Sequence, residues 1–221
     1  MSVFGIPGTG AGSNARHIPG QGGFAIPSGV QRLAEQGLWS SYRFPAAVNI
    51  TGTVPRLFSV QLGAVGQGYA VQMSISETNQ QVANQAPGDE TYEISALSCE
   101  VYGAGATAPL VGDVRLLQRI GCFRWEFGSV IIDIAPLSML GAGGGIFGMT
   151  ADSGTPVTVA NNGNGTLWMY QAVVISVPST QRFALLLAMG TAGQAAAIAP
   201  TAECQVRVTC FNLARSAVPV A

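Results

Sequence analysis

The sequence predicts an all-β fold, an antiparallel β-sandwich of about eight strands, and three observations carry that expectation. Two β-rich apolar runs, Thr166 to Val177 and Arg182 to Met189, meet across the tight break Pro178-Ser179-Thr180-Gln181. Aromatic and β-branched residues crowd the first run, and the second puts Phe183, Leu185, Leu187 and Met189 on one face, as half-buried or fully buried strands require. Strict alternation then recurs at Phe123, Trp125 and Phe127 and at Cys204, Val206, Val208 and Cys210, the period-two mark of a sheet with one buried face. Finally, glycine- and proline-rich turn signals separate the runs. Proline cannot donate to a ladder, so Pro178 marks where one strand stops and the next begins.

Taken in order, Met1 to Gly29 is an arm rich in glycine, proline and serine with spaced apolar residues Phe4, Ile6, Ile18, Phe24 and Ile26. It cannot build a core, but its apolar residues suit anchoring to another surface. Ser28 with Gln31 three residues on reads as a helix N-cap, and Val30, Leu33, Ala34, Gly37 and Leu38 follow helical spacing, which predicts one short helix over 30–40. A single domain over 41–221 follows. Within it, Arg56 to Leu62 and Tyr69 to Ile75 read as a hairpin around Gly63 to Gly68, and Pro87-Gly88-Asp89 reads as a turn. From Tyr92 to Tyr102 the apolar phase changes, with Tyr92 and Ile94 in one set and Leu97, Cys99 and Val101 in the other. That change predicts a β-bulge near Ala96. Asp113 to Arg119 fits a helical turn or a strand equally well. Gly128-Ser129 links Phe123–Phe127 to Val130–Ile134 as a two-residue hairpin loop, and Gly141 to Gly165 is a long loop of contact-making type containing the run Val157 to Ala160.

Composition bounds the function. At 221 residues the chain is long enough for a sizeable core, yet only 10% of it is charged against 48% apolar, well under the usual charged share of about 25%. Such a surface tends to associate, so neighbours are expected to cover much of it. All ten basic residues are arginine, the cation favoured at protein interfaces, where lysine is depleted. Net charge is -1 and the first forty residues hold only Arg16 and Arg32, so no basic arm exists for direct nucleic-acid binding. The four cysteines, Cys99, Cys122, Cys204 and Cys210, are too few for a disulfide scaffold. Buried free thiols in a reducing compartment are expected. No uninterrupted apolar run is of membrane-spanning length and no secretory signal pattern opens the chain.

Chemistry is hard to place. The one histidine, His17, lies in the arm, which leaves no Ser-His-Asp, Cys-His or multi-histidine metal site within the chain and argues against a cupin-type metal centre. Gly143-Gly144-Gly145-Ile146-Phe147-Gly148 has dinucleotide-fingerprint spacing but continues into Met149 to Pro156, which reads as loop where that motif needs a helix. Gly8 to Gly12 fails likewise. Glu126 and Asp133 flank the Gly-Ser turn and form the only candidate carboxylate pair, against the plainer reading of surface acids. Asn49-Ile50-Thr51 and Asn164-Gly165-Thr166 match glycosylation sequons by pattern alone. Trp39, Trp125 and Trp168 fall on separate elements, as packing residues do, and form no stacking platform. No catalytic, cofactor-binding or metal-binding residue is assigned, and no small-molecule substrate is expected.

Several segments together resemble the single jelly-roll capsid proteins of tailless icosahedral bacteriophages, especially those with a membrane beneath the shell. The resemblance covers roughly Arg56 to Val208. It lies in Glu77-Thr78-Asn79 leading through Pro87 to Tyr92-Glu93-Ile94, in Ile134-Ala135-Pro136-Leu137 running into Gly141-Ala142-Gly143-Gly144-Gly145, and in Ile175-Ser176-Val177-Pro178 followed by Gln181-Arg182-Phe183. It implies a sandwich of jelly-roll type, one barrel per subunit. The protein would then be a structural virion protein assembled in the host cytoplasm, a non-enzymatic shell subunit joined to its own copies or to a sister capsid protein near an internal membrane. Phe4, Ile6, Ile18, Phe24, Leu33, Leu38 and Trp39 are the expected subunit contacts. A trimeric receptor-binding or adhesin-like spike module, with ligand contacts on Gly141 to Gly165, is the alternative.

Overall fold

A computed structural model of the chain describes residues 15–16, 24–25, 32–86, 90–103, 110–139, 148–152, 155–160, 168–169, 175–190 and 198–216. In chain order the elements are β1 (Ala15–Arg16), β2 (Phe24–Ala25), β3 (Arg32–Phe44), β4 (Arg56–Leu57), β5 (Glu90–Gly103), α1 (Val111–Ile120), β6 (Gly121–Phe127), β7 (Val130–Pro136), a 3-10 turn (Leu137–Met139), β8 (Gly148–Asp152), β9 (Thr155–Ala160), β10 (Trp168–Met169), β11 (Ile175–Pro178), β12 (Phe183–Met189) and β13 (Cys204–Ser216). Two antiparallel sheets form the body. In the first, β3 pairs β13, β13 pairs β5, and the far side of β5 takes β10 and β11. In the second, the order is β4, β12, β6, β7. The short β1–β2 and β8–β9 pairs are separate two-stranded sheets. The fold is therefore all-β, a two-sheet sandwich.

One core fills the space between the sheets. From the first come Leu38, Phe44, Tyr92, Ile94, Leu97, Cys99, Val101, Val206 and Val208, and from the second Leu57, Phe123, Trp125, Phe183, Leu185 and Leu187. Phe183 is its centre, with ring centroids 5.9 Å from Phe58, 6.2 Å from Trp125 and 6.5 Å, edge-on, from Tyr92. Each such side chain contributes about 1.5–3 kcal/mol by leaving water. The predicted alternation of β13 holds: Cys204, Val206, Val208 and Cys210 are all buried inward. Pro178 ends β11, and the Gln181 N–H bonds its carbonyl at 2.9 Å, so this tight turn carries the chain from the first sheet to the second. The phase change in β5 is a bulge at Ser95, where Phe211 faces Ala96 and Asn212 faces Ile94. Gly128-Ser129 closes the β6–β7 hairpin. Gly128 alone of the two has positive φ, +60°, as a type II′ turn requires.

The helix expected over 30–40 is a strand. β3 pairs along its whole length with β13, Arg32 opposite Ser216 through Phe44 opposite Cys204. Helical spacing of apolar residues is outweighed by this long ladder, and Gly37 and the serines 40 and 41 add little helix propensity to resist it. The sandwich thus includes 32–40, ahead of the start expected at 41. Helix forms instead at α1, from the stretch whose periodicity was ambiguous. Val114, Leu117 and Ile120 bury its inner stripe, and Asp113 in the first turn and Arg119 in the last match the helix dipole. The Asp113 carboxylate, 3% exposed, accepts the N–H groups of Thr201 at 2.7 Å and Ala202 at 2.9 Å, tying the helix start to the approach to β13.

The expected 56–75 hairpin is also replaced. Only Arg56–Leu57 is strand, and residues 58–86 form a turn-rich cover held by single bridges such as Val65 to Gln72. This cover lies along the outer edge of β3: the Arg43 N–H bonds the Gln67 carbonyl, the Asn79 N–H bonds the Trp39 carbonyl, and the Trp39 N–H bonds the Asn79 side chain at 2.8 Å. It also roofs the outer face of the first sheet, where the Tyr69 hydroxyl donates to Gln205 at 2.8 Å and Arg207 donates to the Ser76 carbonyl at 2.7 Å. Gly68 permits the close approach, because at φ +83° a Cβ there would lie 2.1 Å from the Arg43 carbonyl oxygen.

Candidate functional surface: the outer face and open edge of the second sheet

While the edge of β3 is covered, β7 has no partner beyond β6 among the described residues. Its residues Val130, Ile131 and Ile132 are 55%, 51% and 48% exposed, and Met139 just beyond is 59% exposed. Successive side chains of a strand point to opposite faces, so three consecutive exposed aliphatics mean that neither face of this segment is buried. An apolar edge of that kind is the part of a sheet that recruits another chain unless something blocks it.

Beside the edge, the outward residues of β4, β6 and β7 form two ion pairs. Arg56 grips both oxygens of Glu126, and Arg124 pairs with Asp133, which stands opposite it in the ladder. Between them, Leu186 of β12 sits opposite both Arg56 and Arg124, and Leu186 and Ala184 are buried although they face outward. Arginine stems therefore cover the apolar middle of the sheet while their heads stay wet. Pairs this exposed contribute about 0–1 kcal/mol each; their effect is to organise the surface. Each acid of the candidate Glu126–Asp133 pair is thus bound to its own arginine, Glu126 to Arg56 and Asp133 to Arg124.

The expected contact residues scatter. Phe4, Ile6 and Ile18 lie outside the described residues, as do His17, Gly8 to Gly12 and the Gly143–Phe147 part of the glycine motif. After that motif comes the strand β8, neither helix nor plain loop, and with β9 it forms a hairpin inside the 141–165 excursion. Phe24 is in β2 opposite Arg16, and Leu33 is in β3 opposite Arg215. Leu38 is 2% exposed and belongs to the core, so it is corrected from a subunit contact to a packing residue; the strand turned it inward. Trp39 is half-buried on the other face, and its indole N–H donates to the Ile75 carbonyl at 2.8 Å.

The residues that make this surface, Arg56, Arg124 and the Val130–Ile132 edge, escaped sequence reasoning as a group. One local signal existed: β6 alternates, whereas Val130-Ile131-Ile132 does not, which is inconsistent with burial of one face only. Elsewhere, Cys99, Cys204 and Cys210 are buried and unbridged, and Cys122 is half-buried. Burial raises all four thiol pKa values, that of Cys204 to about 12. Among the described residues no group of three or more His, Cys, Asp or Glu is placed to hold a metal, and no helix is long and apolar enough to cross a membrane. Comparison of the chain with protein-family models, with curated proteins and with solved structures found no match.

Proposed function

We propose that the protein is a structural subunit of an icosahedral virion shell, built as a single jelly roll and assembled from copies of itself or with a sister protein. The strand order carries this reading. Numbering β3, β4, β5, β6, β7, β11, β12 and β13 from one to eight, the pairs are one with eight, two with seven, three with six and four with five. That pairing is what a long antiparallel ribbon of four paired strands gives when it is rolled into two sheets, ordered 1-8-3-6 and 2-7-4-5. Such an order supports a jelly roll, an architecture that viral capsid domains share with lectin domains and cupins.

Fold alone does not choose among those uses. A shell is favoured by the 10% charged composition, by the all-arginine cations and by the open aliphatic edge of β7, since closed assemblies need large complementary surfaces repeated by symmetry. Size-exclusion chromatography with electron microscopy of the purified chain tests it. Closed particles or capsomers are the expected result, and a solitary monomer at high concentration would sink it. The receptor-binding alternative draws on the β8–β9 hairpin within the 141–165 excursion, and discrete trimers that never close would favour it instead.

A further inference from the structure

A concavity of about 200 Å³ opens where β4, β12 and the β6–β7 turn meet, lined by Arg56, Asn84, Glu126, Gly128 and Arg182 above the start of β12. Its lining is fixed by backbone bonds. The Gly128 N–H bonds the Arg182 carbonyl at 3.0 Å, the Asn84 N–H bonds the Phe58 carbonyl at 2.9 Å, and the Phe183 N–H bonds the Asn84 carbonyl at 2.8 Å. Asn84 is held at φ +60°, an uncommon conformation for a residue with a side chain, and one that recurs at ligand clamps. Its carboxamide has no hydrogen-bond partner among the described residues, and neither has the guanidinium of Arg182, which is exposed. Glu126, in contrast, has both oxygens taken by Arg56. Among the described lining residues, two arginines against one glutamate leave one uncompensated positive charge.

We propose that this concavity is an oxyanion-binding site that takes a carboxylate or phosphate group, with Arg182 as its principal ligand and Asn84 as a second donor. The planar guanidinium fork matches a carboxylate or phosphate bidentately, and the free carboxamide adds an N–H donor beside it. Among the described lining residues a cation finds no free acid, since their one carboxylate, Glu126, is already bound by Arg56. An apolar ligand finds no exposed ring, because Phe183 is 1% exposed. A second, more open concavity adjoins on the other side of Arg56, lined by Tyr42, Thr53, Ser59 and Gln67. The hydroxyls of Tyr42, Thr53 and Ser59 suit the hydroxyls of a larger ligand whose acid group lies at Arg182, such as a sugar acid.

Isothermal titration of the full chain with acetate, inorganic phosphate and glucuronate tests the site. At least one of the three is expected to bind saturably, one per chain, and more weakly as salt is added. Arg182→Ala should weaken that binding about tenfold or more. Asn84→Gly removes the carboxamide while tolerating the same φ, and should weaken it by less. Both variants should unfold at the parent's temperature, since Arg182 is exposed and glycine suits the backbone at 84. Tighter binding of glucuronate than of acetate identifies a sugar acid as the ligand class, and equal or preferential binding of acetate or phosphate identifies the bare oxyanion. If none of the three binds saturably, or if Arg182→Ala binds as the parent does, the site is refuted.

Discussion

Ser40 and Ser41 stand side by side in β3 and face opposite ways. Ser40 is fully buried on the core side, where its hydroxyl accepts the Phe58 N–H at 2.9 Å and meets the Gln67 carboxamide. Ser41 accepts the Tyr102 hydroxyl at 3.1 Å on the outer side. Buried polar groups persist only where partners are supplied, and here the partners come from the 58–86 cover and from β5. The same low-dielectric interior acts on the thiols. With pKa values raised by burial, Cys99, Cys204 and Cys210 stay protonated when folded. At neutral pH a thiol reagent should therefore modify Cys122 first in the native protein and the other three only on unfolding. The linkage sign follows: a raised folded pKa stabilises fully below the unfolded thiol value of about 8.5 and loses that contribution as pH rises above it. Urea midpoints should thus fall from neutral to alkaline pH, and replacing the three buried cysteines by alanine should flatten that slope. The buried free thiols were legible in the sequence from cysteine number and spacing. Ser40 was not, because nothing local distinguishes a serine with a buried partner from one in water.

At the scale of elements, alternation was legible wherever one face of a strand meets the core and the other does not. β13, β12 and the β6–β7 hairpin follow their sequence patterns, and the bulge at Ser95 was visible as a slip in phase. The pattern misled at 30–40, where helical spacing was met by chance and a ladder of thirteen residues won. It was silent on which edges are covered. The 58–86 cover protects β3, whereas β7 keeps a row of exposed aliphatics. Ile131→Lys places a charge on that edge, a device natural sheets use to prevent edge pairing. The variant is expected to retain the parent's stability within about 0.5 kcal/mol, measured by urea unfolding, while particle formation followed by light scattering is abolished. Particles formed as readily as by the parent would show that β7 takes no part in assembly.

For the whole molecule, the described core between the two sheets draws on residues from Leu38 to Cys210, supplied by strands on both sheets. Deleting Met1 to Gly29 is accordingly expected to leave a folded sandwich, with an unchanged far-ultraviolet circular dichroism spectrum and a cooperative thermal transition, and to impair closed-particle assembly. Normal particles from the shortened chain would remove the arm's role as a tie between subunits. By itself the sequence determined the all-β class, the places where strands turn and the inward face of most of them, because period-two alternation and turn chemistry are written over a few neighbouring residues. Only the tertiary structure decided that 32–44 is an outer strand, that Arg56 and Arg124 engage Glu126 and Asp133, and that β7 is left open. Each of these depends on a partner distant in the chain or on what a neighbouring element happens to cover, and side-chain spacing along one segment carries no record of that.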